Sequence, residues 1–127
     1  MKGRERLKVV IADDHALFGE SVQALLSGEQ KIDVVGRAEN GEEAVSLAFH
    51  LAPDVVLMDV SMPVLDGFGA ARRIREALPD TCILFLTGSN APADIAQARA
   101  AGGSGYITKD RIATELVEAI YAAAGDC

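Results

Sequence analysis

Basic charge is scarce in this chain: 12 Lys and Arg stand against 19 Asp and Glu, a net charge of −7. Phosphate contacts need Lys and Arg, so a nucleic-acid surface does not dominate this domain, and no direct nucleic-acid binding is expected of it. Cysteine is almost absent. Cys82 falls inside an apolar run and Cys127 is the last residue. One buried and one terminal thiol make no disulfide framework, and no paired metal-binding spacing exists. The expected compartment is therefore reducing and cytoplasmic. Long apolar stretches are missing too. Met1-Lys2-Gly3-Arg4-Glu5-Arg6 is charged, but no run of signal-peptide length follows, and the longest apolar runs are of strand length, so no membrane partner is expected. Internal repeats, low-complexity tracts and interdomain linkers are lacking as well.

What remains is an ordinary globular composition, 50% apolar and 24% charged over 127 residues, enough for one domain with its own core. Short apolar runs alternate with segments of helical period. Val9 to Ala12 reads as a strand. Leu17/Phe18, Val22 and Leu25/Leu26 then mark one face of a helix that should stop near Gly28. Ile32, Val34 and Val35 give a weaker strand. Asn40, with Glu43 three residues on, resembles a capping box. Ala44, Val45, Leu47, Ala48 and Leu51 follow as a helical face ended by Pro53. Asp54 to Met58 is apolar without a break after its first residue, as in a strand covered on both faces. Ser61-Met62-Pro63 and Asp66-Gly67 mark a loop. Phe68, Ala71, Ile74, Ala77 and Leu78 make a third helix, and Cys82 to Leu86 a fourth strand. Ala91 to Ala100 is a helix apolar mainly through alanine, so it should pack lightly. Three glycines lead into a short strand at Tyr106-Ile107. Ile112, Leu116, Val117, Ile120 and Tyr121 define the last helix.

Five strands alternating with five helices predict an α/β, doubly wound, five-stranded parallel sheet with helices on both faces, flavodoxin-like in its order 2-1-3-4-5. In such a sheet ligands bind beyond the carboxyl ends of the strands, where strand order reverses. Asp13 and Asp14 end the first run and Asp59 ends the third, which are the two strands flanking that point. Thr87 ends the fourth, and Lys109 follows the fifth. Three carboxylates in a small volume must share a proton or hold a cation. The donors are all oxygen, which favours Mg²⁺ over Zn²⁺. His15 adjoins the cluster and reads as a surface residue at a helix start. A carboxylate can act as a nucleophile and become an aspartyl phosphate, given position and charge neutralisation. Taken singly, Asp14 reads as a helix cap, Thr87 as a turn residue and Lys109 as a solvated lysine. Their joint placement at strand ends reads as one phosphoryl site.

At these residues the chain resembles a bacterial response-regulator receiver domain over about residues 7–124. The pieces are Val10-Ile11-Ala12-Asp13-Asp14-His15, Leu57-Met58-Asp59-Val60-Ser61-Met62-Pro63 with Asp66-Gly67, Leu86-Thr87-Gly88, and Gly105-Tyr106-Ile107-Thr108-Lys109-Asp110. The resemblance implies a sensor histidine kinase that donates a phosphoryl group to Asp59. It implies Mg²⁺ held by Asp14 directly, by Asp13 mostly through water, by Asp59, and by the backbone carbonyl of Ser61. It also implies a switch pair, Thr87 and Tyr106, read out on the face of the fourth helix, fifth strand and fifth helix. Asp13 to Phe18 and Lys109-Asp110 are most similar to the NarL/FixJ branch, whose regulators carry a LuxR-type helix-turn-helix output. Asp110 stands where many receivers have Pro, and Gly88 where Ala is frequent.

The expected role is thus a phosphorylation-activated switch controlling transcription, not a turnover enzyme, with self-catalysed transfer to and from Asp59. Residues 1–127 are expected to be a single receiver domain, with any DNA-binding output domain outside this chain. A truncated regulator is favoured over a stand-alone one that works through protein–protein contacts, and a homodimer is compatible with either. A haloacid-dehalogenase-like phosphatase shares Asp, Thr, Lys and Mg²⁺, but its nucleophile ends the first strand in an Asp-x-Asp pattern. A flavin-binding domain of this topology would need a phosphate cradle that the loop from Asp13 to Leu17 lacks. An interaction module without phosphorylation would have lost one of the acidic or Lys positions.

Overall fold

Alternation along the strands sets up the two faces of the sheet. In the computed structural model, which describes residues 6–88 and 92–126, the apolar runs form β1 (Leu7–Ala12), β2 (Ile32–Ala38), β3 (Val55–Asp59), β4 (Cys82–Thr87) and β5 (Gly105–Thr108). They pair in parallel in the order β2-β1-β3-β4-β5. Between and after them run α1 (Ala16–Leu26), α2 (Gly41–Leu51), α3 (Gly67–Ala77), α4 (Pro92–Ala100) and α5 (Ile112–Asp126). This is the expected doubly wound order.

Val10, Ala12, Val56, Met58, Ile83 and Phe85 point to one face, where they pack with Ala44, Ala48, Phe68, Ile74 and Ala98. Val9, Ile11, Val55, Leu57, Leu84, Leu86 and Ile107 point to the other and meet Val22, Leu26, Leu116 and Ile120. Successive strand side chains alternate between faces, so α2, α3 and α4 cover one and α1 and α5 the other. Phe68 and Phe85 meet with ring centroids 5.2 Å apart at 54°, a tilted contact worth about 0.5–1.5 kcal/mol beyond area burial.

Local signals hold at the helix ends with small differences. Asn40 Oδ1 accepts from the Glu43 N–H at 2.9 Å, whereas the Glu43 carboxylate accepts from the Glu39 N–H at 2.8 Å. The reciprocal bond of a capping box thus lands one residue early. Ala52 closes α2 in the left-handed region at φ 45°, ahead of Pro53. Leu17, expected on the buried stripe of α1, is 79% exposed; Val22 and Leu26 are buried, with Phe18 packed against them. Ala77 is likewise exposed at the end of α3. The chain also forms a 3₁₀ turn at Lys109–Arg111 that carries β5 into α5. Ala91, expected to start α4, and Ser89, read as part of a turn, lie outside the described residues. Cys82 is buried at the start of β4, as its place in an apolar run predicts. Cys127 lies outside the described residues.

The amino ends of the strands are polar but closed. Asp54 Oδ2 accepts from the Lys8 N–H at 2.8 Å, and the Asp54 N–H donates to the Lys8 carbonyl at 2.8 Å. Thr81 Oγ1 donates to the Pro53 carbonyl at 2.8 Å. These bonds satisfy the buried polar groups there. The carboxyl ends are different.

Candidate functional site

The parity that sorts the core also sorts the polar residues at the strand ends. Asp59 follows Val55 and Leu57 on the α1/α5 side of β3, and Asp13 continues the series Val9 and Ile11 on β1. Thr87 follows Ile83 and Phe85 on the α4 side of β4, and Tyr106 has that parity on β5, opposite in register to Phe85. The expected residues therefore gather on one sheet edge as two neighbouring groups rather than one.

The first group is acidic. Asp13 and Asp59 are buried, with 4% and 2% of their surfaces exposed. Lys109, at the start of the 3₁₀ turn, bridges them: its Nζ lies 3.2 Å from Asp13 Oδ2 and 3.4 Å from Asp59 Oδ2. Asp13 Oδ1 accepts from the His15 N–H at 2.7 Å, which folds the chain over the end of β1. Asp59 Oδ1 accepts from the Ser61 N–H at 3.3 Å. Asp59 Oδ2 is buried and accepts no hydrogen bond. Burial pushes the Asp59 carboxyl above the usual carboxylate value of 3.8, and the Asp13 charge adds to it; Lys109 and the Ser61 N–H pull it partly back. One ammonium against this many carboxylates leaves the pocket short of positive charge.

Ligand atoms of Asp13, Asp14, His15 and Asp59 all lie within 4.8 Å of one another. A buried carboxylate oxygen without a hydrogen bond, beside a second carboxylate, is the surrounding a hard divalent cation would neutralise. The residues present therefore fit such an ion. Sequence reasoning set two residues aside that the structure brings in. His15, read as a surface residue, has its Nδ1 3.1 Å from Asp14 Oδ1. Phe18, read only as a core face, lies under Lys109, whose Nζ is 4.5 Å from the ring centroid. Adjacency to the acidic pair was the sole signal for His15; for Phe18 there was none, because its contact crosses most of the chain.

The second group is Thr87 and Tyr106. Thr87 is buried at 5% exposure, whereas Tyr106 is 38% exposed. Both line a cavity of about 10 Å³ with Val60, Phe85, Asp94, Ile95 and Ala98, room for about one water. Between the groups, the loop after β3 turns on Gly67, whose N–H donates to the Val60 carbonyl at 3.1 Å. A Cβ there would collide with the Asp59 carbonyl oxygen. Val64 in that loop has φ 71°, and Leu65 N–H reaches back to the Pro63 carbonyl at 2.8 Å. This is the strained form of γ-turn.

Comparison with known proteins agrees with this geometry. Residues 9–121 match the response regulator receiver domain family. The transcriptional regulatory protein LnrK of Bacillus subtilis (strain 168) is 40% identical over 114 residues, covering 90% of this chain and 52% of that protein. The nitrate/nitrite response regulator protein NarL of Escherichia coli (strain K12) is 35% identical over 127 residues, 99% of this chain and 59% of that protein. The chain thus spans about half the length of the curated relatives it matches. Among solved structures, the signal receiver domain of NarL from Mycobacterium tuberculosis superposes with a TM-score of 0.92 at 36% identity, covering 97% of this chain and 99% of that one. A LuxR-family two-component response regulator from Aurantimonas sp. SI85-9A1 does so at 0.90 and 33% identity, covering 95% and 86%.

Proposed function

This chain belongs to the response regulator receiver domain family, and we propose that it is a phosphorylation-driven switch whose acceptor is Asp59. One observation carries the reading: the buried Asp59 Oδ2, which accepts no hydrogen bond, faces Lys109 Nζ at 3.4 Å. A carboxylate so placed is desolvated enough to attack and has a cation beside it to meet the incoming charge.

The donor is a sensor histidine kinase. Asp59 carboxylate attacks phosphorus, a P–O bond forms, the P–N bond of the phosphohistidine breaks, and the electron pair leaves with the imidazole nitrogen, which takes up a proton. Lys109 neutralises a phosphoryl oxygen as a mobile point charge. Thr87 offers its hydroxyl from the neighbouring strand end. Bound Mg²⁺ would supply charge neutralisation to carboxylate and phosphoryl oxygens, and Asp13, Asp14, Asp59 and the Ser61 carbonyl are the groups to hold it. Because self-catalysis needs only these parts, acetyl phosphate should serve as a small donor, with acetate leaving.

The added charge then biases a two-state element. Thr87 moves toward the phosphoryl group, and the Tyr106 ring, now partly exposed, turns into the space vacated on the α4 side. The face of α4, β5 and α5 carries the change. In the full-length protein residues 1–127, with a core of about 7–124, form the receiver, and a C-terminal helix-turn-helix domain binds DNA; the transcriptional regulators among the relatives support that output. The protein acts in the cytoplasm, in keeping with a kinase partner and with the absence, among the described residues, of any helix long and apolar enough to cross a membrane.

The test is phosphoryl incorporation from acetyl phosphate or a cognate kinase with Mg²⁺, read by intact mass. One phosphoryl group is expected, and Asp59→Asn should take none. Full labelling of that variant would remove Asp59 from the role.

A further inference from the structure

We propose that Arg37, near the carboxyl end of β2, is a positioning residue for Asp14: it holds the first turn of α1 and so sets the affinity of the acidic cluster for Mg²⁺. The inference rests on the reading of that cluster as a cation site and deepens it.

An irregularity in the sheet aims this side chain. β2 pairs with β1 in register from Leu7 and Ile32 to Val9 and Val34, then skips one residue, so that Val10 meets Gly36 and Ile11 meets Arg37. Val35 is the extra residue. It packs on the α2 side with Val10, and a Cβ on Gly36 would face α2 as well, 3.2 Å from Leu51 Cδ1. Two successive residues thus share one face, and Arg37 turns to the other, beside Ile11 on the α1 side. In an unbroken register Arg37 would stand opposite Ala12 and face α2. Re-aiming a side chain is what a bulge does.

A seat on α1 receives the guanidinium. Gly19 is buried in that helix, and a Cβ there would lie 3.1 Å from Arg37 Nη2 and 3.3 Å from Arg37 Cζ. Glycine weakens a helix interior; here it lets the planar group lie against the turn. Nη2 donates to the Ala16 carbonyl at 3.1 Å and Nη1 to Gln23 Oε1 at 3.3 Å. Ala16 closely follows Asp14 in the chain. Between them, the His15 N–H donates to Asp13 Oδ1 at 2.7 Å. The segment that carries Asp14 is therefore tied twice, back to the end of β1 and across to β2. The Asp14 carboxylate adds no anchor of its own: among the described residues it meets only the His15 ring, at 3.1 Å. The direction from which Asp14 enters the site is thus left to its backbone, and Arg37 fixes that backbone.

Position and charge predict opposite effects. As a cation on the same sheet edge, Arg37 repels Mg²⁺, so by Coulomb's law alone its removal would tighten binding. Losing a group that orients a ligand weakens binding instead.

The experiment is calorimetric titration of the full chain with MgCl₂ in the wild type, Arg37→Ala, Gly19→Leu and the double variant. Gly19→Leu fills the seat with a good helix former, so it evicts the guanidinium while favouring α1. Magnesium affinity should fall about fivefold or more in each single variant. The double variant should bind no more weakly than either, since both changes remove the same contact. The Mg²⁺ concentration for half-maximal phosphorylation by acetyl phosphate should rise by the same factor, while the rate at saturating Mg²⁺ stays within about twofold. Unchanged or tighter magnesium binding in Arg37→Ala, or additive losses in the double variant, overturns the role of Arg37 and leaves the cation reading of the cluster standing. A wild type that binds no Mg²⁺ overturns both.

Discussion

Lys109 Nζ stands 3.4 Å from Asp59 Oδ2, longer than the 2.7–2.9 Å of a full charge-assisted hydrogen bond. The ammonium is shared: it lies nearer Asp13 Oδ2, at 3.2 Å, and over the ring of Phe18. Asp59 is therefore attended but not satisfied. That state suits the proposed role, in which Asp59 takes on a phosphoryl group beside a cation, and the raised carboxyl pKa means that the ionised side chain costs stability in the absence of both.

The cost should be visible without any ligand. Asp59 has its folded pKa raised above the unfolded 3.8, so its ionised form opposes folding at neutral pH. The penalty is relieved as pH falls through the raised value and is gone below 3.8. Asp59→Asn should thus stabilise the metal-free protein at neutral pH, because it removes the buried charge. The gain should shrink as pH falls toward 3.8. Urea denaturation with chelator at several pH values checks this; a gain independent of pH would place its origin elsewhere.

Metal should reverse the order. A cation that binds only the folded state at 100 times its Kd adds about 2.7 kcal/mol. Mg²⁺ should raise the wild-type melting temperature, and both Asp59→Asn and Asp14→Asn should lose most of that rise. Thermal scans with and without chelator separate this from a general salt effect, since NaCl of equal ionic strength should not reproduce it.

Phe18 should matter to the chemistry through Lys109. A cation–π contact at a partly exposed site contributes about 0.5–1 kcal/mol. Phe18→Leu keeps apolar volume beside Val22 and Leu26 but loses the ring face. Phosphorylation by acetyl phosphate should slow roughly twofold to fivefold if the whole contact is lost in the transition state, and Phe18→Tyr should retain the rate. Equal slowing in both variants would point to packing instead.

Val64 offers a local gain. It is β-branched, holds φ 71°, and is 80% exposed. Strain of this kind costs about 1–3 kcal/mol, and glycine would relieve it while adding roughly 0.5–1 kcal/mol of chain entropy to be lost on folding. Val64→Gly should therefore be neutral to stabilising by up to about 2 kcal/mol in chemical denaturation, where most loop substitutions change little. A clear loss of stability would mean that Val64 makes an apolar contact its exposure does not show.

Much of this protein is legible in its amino-acid sequence. Period-two and period-3.6 patterns, Asn40 as a cap, and polar residues closing the apolar runs are local properties, decided by backbone sterics and by what neighbours in sequence can bury. They are enough for the strand order and for the carboxylates at the switch point. Tertiary structure alone decided the rest. It chose Phe18, Val22 and Leu26 over Leu17 as the buried stripe, because the direction of α1 over the sheet sets which side chains lose water. It divided the strand-end residues between the two faces, Asp13, Asp59 and Lys109 on one and Thr87 and Tyr106 on the other. It left Asp59 Oδ2 without a hydrogen bond and turned His15 toward Asp14. Desolvation and charge contact depend on atoms brought together from distant segments, and no local pattern carries them.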